Sequence, residues 1–327
     1  MAAAPVPWLL ADVGGTRARF GWVAAPDEPP REVLELRCAD FPRLADALAH
    51  YLQHTGLRPQ VAGIAVAAPV EDDRATLTNR GWALSGAELA RSFGLASCRL
   101  FNDFEALALA LPRLPADATR PLGGGAVDRR RTMAVIGPGT GLGVAACVPV
   151  AADRWIALPG EGGHATLAAA DDLEADVLRA LRADRGHVSA ERALSGIGLP
   201  ALHRAVRTVR HGHTPDELRT PEEITAAALG GHDADCAATL DLFAAMLGGF
   251  AGNVALTLGA RGGVFIAGGI AQLLADYLPR SRLRARFEDK GRFRAWLAPI
   301  ATPLIVAPHV ALTGVAHALG ADSTDPR

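Results

Sequence analysis

Gly137-Pro-Gly-Thr-Gly-Leu-Gly143 stands between two apolar stretches, as Leu10-Ala-Asp-Val-Gly-Gly-Thr16 does near the start of the chain. The earlier stretch turns a strand over Trp8–Val13 back into one over Arg17–Ala24, because apolar residues alternate on both sides of a Gly-Gly pair. The later one does the same within Met133–Val150. Each half of the chain therefore opens on a glycine-rich hairpin, a two-fold echo with no tandem repeat of shorter period. Outward from the first hairpin the spacing predicts a strand at Glu32–Cys38, a helix through Leu44, Leu48 and Leu52, and a buried strand at Val61–Ala67. A short helix capped by Ser85 follows. A strand at Cys98–Phe101 then runs into a helix that starts at Asn102–Asp103 and stops before Pro112. Pro112–Arg131, with a glycine triplet and an arginine triplet, reads as a domain crossing. Beyond the second hairpin come helices at Leu173–Ala183, Gly198–Val209, Pro221–Leu229 and Ala234–Leu258, a strand at Gly263–Ala267 and a helix at Ile270–Tyr277. The pattern is α/β, in two related halves.

A length of 327 residues suits about two domains. Thirty-three basic against 35 acidic residues leave a charge of −2, so no global field recruits nucleic acid or an acidic membrane. Cys38, Cys98, Cys147 and Cys236 lie far apart without metal-ligand spacing, which points to a reducing compartment and no structural zinc. The N-terminus lacks the basic region of a signal peptide. Of two uncharged stretches, Met133–Ala152 is broken by Gly and Pro. Leu242–Ala260 carries Gly248, Gly252, Asn253 and Thr257 and reads as a buried helix that a neighbour approaches closely. A cytoplasmic protein with no membrane segment is expected. The basic run from Arg280 to Arg294 lacks aromatic stacking rows and reads as a solvated face.

Several stretches carry chemistry. In the first hairpin, Ala11, Asp12, Val13, Gly14, Gly15 and Thr16 offer backbone amides with no Cβ in the way, a hydroxyl, and a carboxylate able to hold the water shell of Mg²⁺. Gly139 and Thr140 equip the second hairpin alike. It is neither a Walker loop, since no Lys follows, nor a dinucleotide motif, since the spacing differs. Either hairpin alone is also compatible with an ordinary turn; the pair is what suggests a grip on a polyphosphate. Gly268-Gly269 ends a buried strand where a flat base can slide along the backbone, although a tight packing turn has the same composition. Asn102 and Glu105 have capping-box spacing, and Asp103 beside them is a candidate base for an attacking hydroxyl. Glu161 and His164 sit in a loop, where Gly162 and Gly163 argue against a helical metal site, and suit hydrogen bonding to vicinal hydroxyls. Glu191 and Asn79 are further polar candidates; Glu191 alone reads rather as an acidic residue in a first helical turn. No nucleophile elbow surrounds Ser195, because Ala193 stands where Gly is required.

The order of these motifs, with FNDFEA, GPGTGLG, PGEGGH, HVSAERALSG and EDKGRF, resembles the bacterial ATP-dependent glucokinases of the sugar kinase–actin–Hsp70 superfamily, from Leu10 to about Leu319. The resemblance implies an α/β, two-domain actin-like ATPase (ribonuclease H-like) fold with a central cleft. A small domain would comprise residues 1–112 with 306–327, and a large one 113–305. It implies transfer of the ATP γ-phosphate to the 6-hydroxyl of glucose, with Asp103 as general base. Asn79, Asn102, Asp103, Glu161, His164 and Glu191 would bind the sugar. Ala11 to Thr16, Gly139, Thr140, Gly268 and Gly269 would bind the nucleotide. Mg²⁺ would be held mainly by nucleotide phosphates and water, with no protein metal site.

Closure on sugar binding, a homodimer and a cytoplasmic location follow from the same likeness. Two departures stand out. Arg17 follows GGT where the family commonly shows Asn, so phosphate contacts are expected to differ. The zinc element of the related repressor–kinase group is absent. The alternatives are a kinase for another hexose (fructose, mannose or an N-acetylated amino sugar) and a non-catalytic sugar sensor on the same fold.

Overall fold

The structure, a computed structural model, describes residues 7–77, 81–214 and 218–324. The chain divides into two compact units. One comprises Met1–Leu114, Val150–Pro159 and Ala307–Arg327, the other Pro115–Pro149 and Gly160–Val306.

The first unit is built on strands β1 (Trp8–Val13), β2 (Arg17–Val23), β3 (Arg31–Arg37), β4 (Val61–Val66) and, after a small sheet of β5 (Val70–Glu71), β6 (Arg74–Leu77) and β7 (Trp82–Ser85), strand β8 (Ser97–Asn102). Its main sheet runs β3-β2-β1-β4-β8. β1 is antiparallel to β2 and parallel to β4, and β4 is parallel to β8. Helices α1 (Leu44–Thr55), α2 (Gly86–Phe93) and α3 (Asp103–Ala110) come between and after these strands. Side chains alternate across a strand, so β1 faces two cores. Leu9, Ala11 and Val13 pack with Leu44, Leu48 and Tyr51 of α1. Leu10 packs with Leu312, Val315 and Leu319 of the last helix, Val310–Thr324. That helix lies close on its neighbours because two positions lack a side chain. A Cβ on Gly314 would fall 1.7 Å from Ala106 O, and one on Gly63 would fall 2.3 Å from Val315 Cγ1. Ser85 caps α2 as its sequence position predicts, accepting from the Glu88 amide.

The second unit holds β9 (Thr119–Pro121), β10 (Met133–Pro138) and most of β11 (Leu142–Ala151); the chain then turns through Asp153 into β12 (Arg154–Gly160), which falls almost wholly within the first unit. Then follow α4 (Asp172–Arg185), α5 (Leu199–His211), α6 (Pro221–Leu229), α7 (Ala234–Leu258), β13 (Gly263–Ile266), α8 (Gly269–Leu273), α9 (Leu283–Glu288), α10 (Arg294–Leu297) and β14 (Pro303–Ile305); the chain ends in α11, the Val310–Thr324 helix of the first unit. β10 pairs antiparallel with β11 and parallel with β13, and β14 joins β13 to β9. Long and apolar enough to cross a membrane, α7 is mostly buried in protein and serves as a core helix. Gly248 and Gly252 let α9 approach it: Cβ atoms there would fall 2.0 Å from Leu283 O and 2.5 Å from Phe287 O.

Two expectations need correction. The helix expected at Ile270–Tyr277 covers only Gly269–Leu273, because the amides of Ala275 and Tyr277 bond back three residues, to Gln272 O and Leu274 O, and the chain tightens into turns. The chain does pass from one unit to the other within Pro112–Arg131, and β9 in that stretch pairs with β14. The basic run is solvated only in part. Arg286 is nearly buried against the Glu174 carboxylate, and Arg284 donates to the carbonyls of Ala298 and Ile300.

Candidate functional site

In the first unit the candidates leave one edge of the sheet. The parallel registers place Val13 beside Val66 and Val66 beside Asn102. The glycine turn after β1 and the start of α3 after β8 therefore lie two strand spacings apart, about 10 Å. The turn is closed by a bond from the Gly14 amide to Arg17 O at 2.9 Å and pinned by one from the Cys38 amide to Thr16 O at 2.9 Å. Thr16 is exposed at its tip. Asn102 caps α3: its Oδ1 accepts from the amides of Phe104 and Glu105, and Glu105 Oε2 accepts from the Asn102 amide. The capping reading therefore holds. The Asn102 amide group donates to Ala68 O at 3.2 Å, which ties the end of β8 to the chain leaving β4. Asp103 follows as the first residue of α3, half-buried, with Oδ1 accepting from the Phe104 amide at 3.0 Å.

In the second unit one carboxylate ties two motifs together. Glu191 Oε2 accepts from the Leu142 amide at 2.9 Å, immediately after the Gly139–Gly141 turn. A Cβ on Gly141 would lie 2.4 Å from that oxygen, so glycine is needed there for Glu191 to reach the backbone. The turn is braced further by bonds from the Gly196 amide to Gly139 O at 2.8 Å and from the Ile197 amide to Thr140 O at 3.4 Å. The loop with Glu161 and His164 lies on the same strand. A Cβ on Gly163 would fall 1.9 Å from Leu142 O, which explains the glycine pair between the two polar residues. His164 Nε2 is 3.8 Å from Glu161 Oε2, and His164 Nδ1 is 4.0 Å from Glu191 Oε1. Glu191, distant in sequence, thus joins Glu161 and His164 in one polar group, with Glu161 and His164 more than half exposed. Gly268, at φ +88°, packs against the base of the hairpin, where a Cβ would lie 2.5 Å from Pro138 O; beside Gly269 there is open space.

Burial pushes the Asp12 carboxyl above its ordinary range, opposed by Arg19, whose Nη1 lies 3.2 Å from Asp12 Oδ2. Among the described residues no cluster of three or more His, Cys, Asp or Glu can hold a metal ion. The single carboxylate at the glycine turn fits a Mg²⁺ that arrives with phosphates and keeps its waters. Asn79 lies outside the described residues. Every other sequence candidate falls in one of the two groups above: Ala11 to Thr16, Asn102 and Asp103 in the first unit, and Gly139, Thr140, Glu161, His164, Glu191, Gly268 and Gly269 in the second. The sequence reading missed Arg19 and the turn from Ser195 to Gly198. Period-two counting along β2 puts Arg19 on the face of Asp12, so Arg19 was findable. The 195–198 turn left no local signal, since its role is to offer backbone amides.

The family model described as Glucokinase matches residues 9–322. A glucokinase of Aromatoleum aromaticum is 47% identical over 96% of this chain and 94% of its own length. The crystal structure of a glucokinase from an Antarctic psychrotroph superposes with a TM-score of 0.86 at 36% identity, covering 96% of this chain and 98% of that one. The fold is shared by a ROK family glucokinase of Streptomyces griseus solved with glucose and AMPPNP, at TM-score 0.60 and 19% identity over 95% of this chain and 98% of that one. The α/β architecture is that of the actin-like ATPases, and the chain belongs to the glucokinase family.

Proposed function

We propose that the chain, acting as a glucokinase, moves the γ-phosphoryl group of ATP to the 6-hydroxyl of glucose with Asp103 as the general base. The observation that carries this reading is the shared edge of β1, β4 and β8, from which the glycine turn and Asp103 both emerge. Asp103 accepts the proton as the sugar oxygen attacks phosphorus and the bond to the ADP oxygen breaks. In such transfers the base mainly orients the nucleophile, and general-base help is worth about 10²–10⁴-fold. The second N–H of Asn102, left over from its bond to Ala68 O, is what that residue offers the sugar. Glu161, His164 and Glu191 take other hydroxyls, and the wrong epimer would leave these polar groups unpaired.

The nucleotide side comprises Ala11 to Thr16, Gly139, Thr140, Gly268 and Gly269, whose amides meet phosphate oxygens without side-chain obstruction. Mg²⁺ brought by the nucleotide would neutralise phosphate charge, and Asp12 is the residue that would hold its water shell. The Streptomyces griseus enzyme, solved with glucose and AMPPNP, supports this pairing of ligands. The same reading has the protein work in the cytoplasm as a homodimer. The test is coupled ADP release with and without glucose, then across a hexose panel. Glucose-dependent release with glucose as the best sugar is expected. Equal or faster turnover of another hexose would defeat the glucose assignment, and no release would favour a sensor.

A further inference from the structure

The charged side chains around Asp12 form a chain with no part in the reaction as described above. The antiparallel registers set Asp12 of β1 opposite Arg19 of β2, and Arg19 opposite Glu35 of β3. All three therefore share one face of the sheet. Arg19 Nε donates to Glu35 Oε2 at 2.8 Å, whereas its Nη1 reaches Asp12 Oδ2 at only 3.2 Å. Arg17 Nη1 donates to the other oxygen of Glu35. Asp12 is the least exposed of the four, at a fifth, Arg19 and Glu35 are about a third exposed, and Arg17 is 60% exposed. His309, just before α11, is the other basic group acting on Asp12.

We propose that Glu35 and Arg19 are positioning residues for Asp12. By anchoring the guanidinium, Glu35 lets Arg19 neutralise Asp12 without clamping it, so the carboxylate stays available to the metal–nucleotide. The inference rests on the reading of Asp12 given under the proposed function. Its physical basis is the geometry of arginine. A guanidinium forks two parallel N–H bonds onto one carboxylate when nothing else claims them. Released from Glu35, Arg19 closes on both oxygens of Asp12 and competes with the water shell of the ion. Removed altogether, it leaves the Asp12 carboxylate without the guanidinium that holds its position at 3.2 Å.

The test is calorimetric binding of a non-hydrolysable ATP analogue to the full chain, with excess Mg²⁺ and with a chelator, for wild type, Glu35→Gln, Arg19→Ala, Arg19→Lys and Asp12→Asn. Glu35→Gln and Arg19→Ala are expected to cut the tightening that Mg²⁺ confers by roughly five- to tenfold. Glucose affinity and binding in chelator should not move. Arg19→Lys should restore part of the loss, a rescue that a merely structural role would not predict. Glu35 is at the surface, so Glu35→Gln carries the test should Arg19→Ala not fold. If Asp12→Asn loses the Mg²⁺ effect while Glu35→Gln and Arg19→Lys match wild type, the inference falls and the reading of Asp12 stands. If Asp12→Asn also matches wild type, that reading falls and takes the inference with it.

Discussion

The carboxylate of Glu191 accepts the Leu142 amide proton at 2.9 Å. One oxygen of a proposed sugar ligand thereby fixes the first residue of β11 beyond the Gly139–Gly141 turn, while the other faces His164 at 4.0 Å. Two variants separate these duties. Glu191→Gln keeps an oxygen for Leu142 but loses the charge, so KM for glucose should rise by on the order of tenfold or more with little change for ATP. Glu191→Ala should raise both KM values, because the turn loses its brace. Steady-state kinetics with each substrate varied in turn checks this, and a rise for ATP alone would put Glu191 on the wrong side of the reaction.

The two glycines at the end of β13 make a paired prediction. Gly268→Ala forces a Cβ into Pro138 O at a φ of +88° and should lower stability by a few kcal/mol. Gly269→Ala enters open space and should leave the melting temperature unchanged, yet weaken ATP binding where the base passes. Thermal melts beside nucleotide titrations distinguish the two, and equal melting temperatures would contradict the packing described.

Asp12 is held at a cost to stability. Burial raises its folded pKa above the ordinary 3.8, so between those two values the folded state binds more protons than the unfolded one. Stability contributed by this group therefore falls as pH rises through that window. Asp12→Asn should melt no lower than wild type at neutral pH while nucleotide binding with Mg²⁺ suffers, a trade seen where function is bought with stability. Melting curves at pH 4 and pH 7.5 test it: the variant's advantage should be larger at pH 7.5, and the reverse order would refute the burial argument.

How much of this was legible beforehand depended on periodicity. The β1–β2 hairpin announces itself because Leu9, Ala11 and Val13 feed one core and Leu10 another. The Asn102 cap was visible in its spacing to Glu105. β12 was not, since most of its residues are exposed, and exposure erases the alternation on which strand recognition depends. β5, β6, β7 and β9 are too short to set a period. The coupling of Glu191 to Leu142 spans 49 positions. It uses a backbone donor that every residue but proline carries, so nothing in the local sequence could reveal it.

Arg17, which departs from the family's usual Asn, pairs its guanidinium with exposed Glu35. Such a surface pair is worth about 0–1 kcal/mol, so Arg17→Asn should shift the melting temperature by no more than a few degrees. Because Arg19 keeps its own bond to Glu35, the Mg²⁺ dependence of nucleotide binding should hardly change. A melting profile and a Mg²⁺ titration of that variant decide the point; a large loss of nucleotide affinity would assign Arg17 a phosphate contact.

The account turns on Asp103, and the most direct measurement is glucose calorimetry with ADP release on one preparation of the Asp103→Ala variant. Glucose binding within a few-fold of wild type, with turnover lower by about 10²–10⁴-fold, is the predicted result. A variant that releases ADP at the wild-type rate in the presence of glucose would contradict it.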